Sequence, residues 1–567
     1  MNVVERSRPI AAGPPRVATM EPPRRSWDRL AIGLFLLGLT VVMFAPLLRP
    51  GTVWFLDSPA SLMGAHPRVA DAAWSSDPLG VIRAPFEHLL ATLFTAVPFG
   101  QIRLLPLLAF PAIATLGFRM LFRGDATRTI AASLLFVVNP FVYERMAAGQ
   151  EYFLLGVATL PLILALVVRA RSGLRAGLAA GGLLVAVIAL SPHLAFVGGV
   201  LLLGMLAGSL LSRSGLPAIA AGTALVVSSL PALVVALAST SAPSPGAADL
   251  ATFRTVADPV FGLVPNVLGL YGFWRQGWPL AKDVIGAWPV FVAAVLAVGA
   301  IGLAAIRRAG DRVLFGGLTI ATLAGLVLAL GDRGPTGSAF AWLYRIAYPF
   351  RVMREPQKFA ALLALGLAVA FGAGVAELVR RGASKRSRAA LMVLLLAVPC
   401  VASFRSFWGL GGYVAPSPIP SSWASADRLM GAGDEAVLVL PWHRYLRFPF
   451  TQDRVVASPF LSAFDRPAIV SDDPELEAVP SVRDDLAGTI GALLSTGETT
   501  DRFGGPLRPL GVRFIVLAKV QDWWAYGWLF EQGDLELVAE WDDLVLFENV
   551  AGTPIAGPTS GPSIGVT

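Results

Sequence analysis

Apolar runs of about 17 to 23 residues recur through the first 400 residues, broken by short loops that carry arginine and lysine. A run of that length forms a helix able to cross a hydrocarbon core of roughly 30 Å. Backbone groups surrounded by lipid must satisfy one another, which selects the α-helix. The pattern predicts about eleven spans, near 30–48, 101–122, 128–143, 151–168, 176–191, 193–212, 216–238, 286–306, 313–331, 357–379 and 388–404. Residues 1–28, rich in proline and arginine and without a small-residue cleavage site after the first apolar run, read as a cytoplasmic tail ahead of a signal anchor.

Three connections, 49–100, 239–285 and 331–356, are too long to be simple turns, and long ordered loops carry function. Within the first, 84–97 (APFEHLLATLFTAV) has the apolar face of a helix lying on a membrane surface. The second contains LYGFWRQGW, whose Tyr271, Phe273, Trp274 and Trp278 suit an interfacial aromatic belt.

Beyond residue 404 the period changes from that of helices to that of strands. Strand-like stretches occur at 436–440, 513–517, 535–539 and 544–548, the last two forming a hairpin around Asp542-Asp543. A helical stretch at 482–495 lies between them. The chain therefore reads as a polytopic α-helical membrane domain over 29–404, an α/β or α+β domain over 405–551, and a disordered tail over 552–567.

Composition sharpens this division. Of all residues 55% are hydrophobic and 15% charged, outside the range of ordinary soluble domains. The net charge of +7 conceals two opposite halves, because residues from Arg405 onward hold 11 Lys+Arg against 21 Asp+Glu. The membrane half is basic in its short loops, where such residues act as topology signals, so nucleic-acid binding is excluded. Counting 21 basic residues on one side and 13 across the longer loops of the other places the N-terminus in the cytoplasm and the C-terminal domain outside. Cys400 is the single cysteine and lies in a span, so no disulfide forms within the chain.

No Walker loop, dinucleotide glycine fingerprint, HExxH or CxxC appears in a suitable setting, which leaves acids, bases and arginines to do any chemistry. Three constellations near the outer ends of the spans hold such residues, where charge is costly and marks sites. Asp57 in GTVWFLDSPASL is placed to act as a general base, or else to cap a helix beginning at Ser58-Pro59; Asp71 and Asp77 follow in the same loop. In YPFRVMREPQKFAALLALG, Arg351, Arg354 and Lys358 stand before and within a span, suited to a polyprenyl phosphate or to headgroup anchoring. In NPFVYERMAAGQEYF, Tyr143, Glu144, Arg145 and Gln150 either orient a polar ligand or, as a Glu144/Arg145 pair, satisfy one another. His193 reads as a satisfied turn residue. Trp523, Trp524, Tyr526 and Trp528 suit sugar stacking, anchoring or core packing.

This layout, with the NPFVYERMAAGQ and FRVMREPQKF segments, resembles the GT-C superfamily of integral membrane glycosyltransferases, including arabinofuranosyltransferase-like proteins. The resemblance covers about residues 30–404. It implies a plasma-membrane enzyme of the cell envelope that moves a sugar, with inversion, from a polyprenyl-phosphate donor to a glycan, lipid or protein acceptor. It also implies that the early-loop aspartate, here Asp57, is the base, with Arg354 and Lys358 stabilising the departing phosphate. Ser58 stands where many relatives carry a second acid, which leaves divalent-metal use open and keeps Asp71 and Asp77 as alternative bases. Two rival classes differ in their signatures: a transporter needs repeats or broken helices, and a non-catalytic scaffold needs no Asp57.

Overall fold

The computed structural model describes residues 24–57, 104–238, 247–471, 473, 475 and 485–552. Asp71, Asp77, the 84–97 helix and the proposed cap at Ser58-Pro59 lie outside the described residues, as do most of 1–28 and the tail from 553.

Among the described residues eight helices are long and apolar enough to cross a membrane, or nine if one bent pair is a single span. They include α1 (Arg24–Phe44), α2 (Leu104–Leu121), the pair α3 (Ala126–Val137) and α4 (Pro140–Ala147), and α5 (Glu151–Val157) with α6 (Leu160–Val168). After these come α7 (Gly173–Leu190), α8 (His193–Leu211), α9 (Gly215–Ala238), α10 (Trp288–Arg308), α11 (Arg312–Ala329), α12 (Ala360–Arg380) and α13 (Lys385–Ala402). The two predicted spans outside that set, α9 and α13, are helices as well; the apolar part of α9 is shorter and α13 opens on a basic turn.

The predicted span at 128–143 is broken. Pro140 has no N–H and disfavours a helical residue before it, so α3 stops at Val137 and the chain turns by 45°. Asn139 restarts the helix, its Oδ1 accepting the Val142 N–H at 3.0 Å. All eight residues of α4 are buried, Glu144 and Arg145 included.

Glycine lets the helices approach closely. A Cβ on Gly302 of α10 would lie 1.8 Å from the Ala370 carbonyl of α12, and one on Gly177 of α7 would lie 2.5 Å from Thr223 of α9. Without a hydrophobic driving force between helices in lipid, such small-residue contacts supply the packing. α12 is the centre of the bundle, buried from Ala360 to Glu377 at every position but Leu367. At one end of the bundle Asp28, Arg29, Arg119, Arg123 and Arg380 line a cavity of about 930 Å³. The ends of α1 and α4 and the starts of α8 and α12 meet at the other.

The C-terminal domain is built on a five-stranded mixed sheet. Its strands are β3 (Ala436–Leu440), β6 (Ala468–Ile469), β7 (Val512–Ala518), β8 (Leu535–Glu540) and β9 (Leu544–Asn549), in the order β6-β3-β7-β9-β8. β3 runs parallel to β6 and β7, whereas β9 is antiparallel to β7 and β8. Alternation puts Val437, Val439, Phe514 and Val516 in one core and Leu438, Leu440, Ile515 and Leu517 in another. The two cores lie on opposite faces of β3 and β7. The helix Asp485–Leu494 matches the expected helical stretch, and the hairpin turns at Asp542-Asp543.

This domain grips the loop that follows α1. Strand β1 (Thr52–Val53) pairs antiparallel with β2 (Pro416–Ser417), and a second small pair joins β4 (Tyr445–Arg447) to β5 (Val455–Ala457). Gly51 enters β1 at φ +122°, and a Cβ there would meet the Ser417 backbone at 3.0 Å.

Candidate active site

Asp57 stands at the end of this gripped segment, half-buried, with its N–H donated to the Ala148 carbonyl at 2.8 Å. The Tyr445 hydroxyl donates to its Oδ1 at 3.1 Å. Burial raises the Asp57 pKa above the usual carboxylate range, and the negative charge of Glu355 adds to this. The Tyr445 hydrogen bond and the charges of Arg275 and Lys358 act the other way.

Glu355 is the hub of the charges facing Asp57. Its Oε2 accepts from Arg145 Nη1 at 2.5 Å and lies 3.6 Å from Lys358 Nζ. Burial works against its ionisation, yet Lys358 and Arg145 outweigh that and hold its pKa down to about 2. Arg145 therefore pairs with Glu355, which corrects the expected Glu144/Arg145 pair. Arg145 also donates to Gln150 Oε1 at 2.9 Å and stacks over the Phe273 ring at 4.3 Å. Its Nε and Nη2 meet no acceptor among the described residues.

Lys358 lies on a 3₁₀ turn, Pro356–Phe359, that precedes α12, and its Nζ meets His193 Nε2 at 2.7 Å. An ammonium only donates, so His193 Nε2 accepts and Nδ1–H is left to donate to Ser191 Oγ at 2.9 Å. His193 is thus satisfied within its turn, as expected, and is also tied to the lysine.

The remaining predicted residues have plainer surroundings. Tyr143 donates to the Pro279 carbonyl at 2.7 Å, and Glu144 accepts backbone N–H groups of Gly272 and Phe273. Both fasten the 271–279 loop. That loop packs inward, with Tyr271, Phe273 and Trp278 buried, so it is no interfacial belt. Arg354 is exposed, stacked over Phe253 at 4.3 Å with Asp249 4.0 Å away; Arg351 donates to the Arg345 carbonyl at 3.1 Å. In the C-terminal domain Trp528 packs on Phe503, Tyr526 accepts the Trp442 N–H, and Trp524 is exposed. Among the described residues no three His, Cys, Asp or Glu side chains gather to hold a metal ion.

An apolar groove reaches Phe359, the residue that follows the lysine. It has a volume of about 1100 Å³ and is lined by Phe196, Leu233, Leu328, Leu343, Phe350 and Phe359 among others, from α8, α9, α11 and the segment before α12. Sequence reasoning singled out Asp57, Arg145 and Lys358, which lie at one end of the bundle, but gave no role to Glu355 or Tyr445. An acid inside the basic run RVMREPQK was the available signal for Glu355, whereas Tyr445 lies 388 residues from Asp57.

The fold is similar to that of a solved arabinofuranosyltransferase. The structure superposes on that of the arabinofuranosyltransferase AftD from Mycobacteria with a TM-score of 0.58 at 17% identity, over 93% of this chain and 40% of that one. A mutant form of the same protein matches at 0.58 and 16% identity, over 92% of this chain and 41% of that one. The oligosaccharyltransferase from Archaeoglobus fulgidus aligns at 0.46 and 10% identity, over 87% of this chain and 69% of that one. The chain thus spans about two fifths of the arabinofuranosyltransferase's length. No family model and no curated protein matches the sequence.

Proposed function

We propose that this protein is an inverting membrane glycosyltransferase that takes a sugar from a polyprenyl-phosphate donor and passes it to an envelope acceptor at the outer membrane face. The observation that carries the reading is the set of groups at one end of the bundle: a half-buried carboxylate, Asp57, feels the charges of Lys358 and Arg145, and an apolar groove of about 1100 Å³ reaches Phe359, next in the chain to that lysine. The groove suits a polyprenyl chain, and the cations suit the phosphate at its end.

In this reading Asp57 takes the proton of an acceptor hydroxyl as that oxygen attacks the anomeric carbon. The bond from that carbon to the phosphate oxygen breaks, and the leaving polyprenyl phosphate keeps the electron pair. Charge grows on the leaving oxygen, where Lys358, and Arg354 at the rim, stabilise it. Burial raises the proton affinity of Asp57 toward that of an acceptor under reaction conditions, which favours general-base catalysis. Arg145 and Glu355 keep the lysine in place. The cavity lined by Arg29, Arg119, Arg123 and Arg380 at the opposite end supports a cytoplasmic N-terminus and an outer C-terminal domain.

The break between α3 and α4 is the feature a transporter would use. One assay separates the two readings: purified protein in lipid vesicles, offered a panel of radiolabelled polyprenyl-phosphate sugars and acceptors. Covalent transfer supports the enzyme. Movement of labelled lipid across the bilayer without transfer favours the transporter.

A further inference from the structure

The segment 51–57 is held along its length by the outer domain. After the β1–β2 pairing, Trp54 is buried among that domain's aromatic residues, its ring 5.8 Å from Phe450. Arg454 Nη1 donates to the Trp54 carbonyl at 2.9 Å, and the Ala457 N–H donates to the Leu56 carbonyl at 2.9 Å. The last contact is the Tyr445 hydroxyl on Asp57 Oδ1 at 3.1 Å.

Tyr445 is itself fixed from behind. It pairs with Ala457 across β4 and β5, and Glu475 accepts the N–H groups of Arg444 and Tyr445 at 2.8 and 3.3 Å. His443 stands between Glu475 and Asp522, at 3.4 and 3.2 Å. Burial, then the charge of Asp57, raises the Tyr445 pKa and keeps its hydroxyl protonated, so it is a donor throughout the working range. The other charges acting on Asp57 are Glu355, Arg275 and Lys358, with Arg145 beyond Glu355.

We propose that Tyr445 is a positioning residue for Asp57: its hydroxyl fixes the carboxylate through Oδ1 and leaves Oδ2 to meet the acceptor hydroxyl, so the outer domain completes the active site. This rests on the reading of Asp57 as the base. It gives the domain a duty in the chemistry beyond capping the bundle or holding a glycan.

The test uses the full chain in detergent with a hydrophobic carbodiimide, which reacts with protonated carboxyls, and reads labelling of Asp57 by mass spectrometry against pH. Tyr445→Phe removes one hydrogen bond from the charged form, so the half-labelling pH is expected to rise by about 1, a tenfold change in proton affinity. 3-Fluorotyrosine at position 445, a stronger donor of nearly the same size, is expected to lower it. Transfer by Tyr445→Phe is expected to fall roughly tenfold in kcat with the donor KM unchanged, because lost orientation of the carboxylate toward the acceptor outweighs its higher proton affinity. An unchanged half-labelling pH in both variants overturns the inference, even where Asp57→Asn has abolished transfer. Full transfer by Asp57→Asn overturns the base reading and the inference with it, whereas the labelling shift reports the contact independently of activity.

Discussion

The guanidinium of Arg145 and the carboxylate of Glu355 meet at 2.5 Å, although 210 residues separate them in the chain. Both are almost wholly enclosed, with 1% and 9% of their side chains exposed. The pair joins the broken segment α4 to the turn that opens α12, and so fixes the distance between Lys358 and the loop bearing Asp57.

Glu355→Gln keeps the shape of this link and removes its charge, leaving Arg145 and Lys358 buried without their counter-ion. Breaking a buried pair from one side costs about 3 kcal/mol. The variant is expected to unfold at markedly lower denaturant in a titration of detergent-solubilised protein, and unchanged stability would show that the pair is solvated in the membrane.

A second consequence concerns pH and the C-terminal domain. Hydrogen bonding to Glu475, opposed by burial and helped by Asp522, raises the His443 pKa from 6.5 to about 9. A group whose pKa is raised on folding stabilises fully below its unfolded value. That contribution is therefore complete below about pH 6.5 and lost as pH rises through about 9. Since Asp522 is well exposed, screening leaves about 1 kcal/mol of the effect. The thermal midpoint of the wild type is expected to fall between pH 6 and pH 10 more than that of His443→Gln, and parallel profiles would refute the coupling.

Lys358→Met removes the buried cation and keeps most of its volume. Loss of one prearranged electrostatic contact to a developing oxyanion lowers kcat by about 100-fold. Steady-state transfer with varied donor checks this. A rise in donor KM with kcat unchanged would assign the lysine to ground-state phosphate binding instead.

Most of the fold was legible because its signals are local. Span length and apolarity gave α1, α2, α7, α8 and α10 to within a few residues, and alternation gave β3, β7, β8 and β9. The break in 128–143 was missed because hydropathy averages over the Val138-Asn139 turn, even though Pro140 announced it. Phe273 and Trp278 were taken for a membrane belt because aromatic residues serve lipid interfaces and cores alike; here Phe273 serves as the surface beneath Arg145. The site was legible in its residue types and not in its pairings. Arg145 with Glu355, Lys358 with His193, and Tyr445 with Asp57 are all long-range contacts, which composition and spacing do not encode.

The most direct measurement is sugar transfer from labelled polyprenyl-phosphate donors by the wild type beside Asp57→Asn, with folding checked by chromatography. The predicted result is transfer by the wild type and a loss of about 100-fold or more in a well-folded Asp57→Asn, the range general-base catalysis supplies. Equal transfer by both would place the base elsewhere, and absence of transfer by the wild type across the donor and acceptor panel would contradict the enzyme reading.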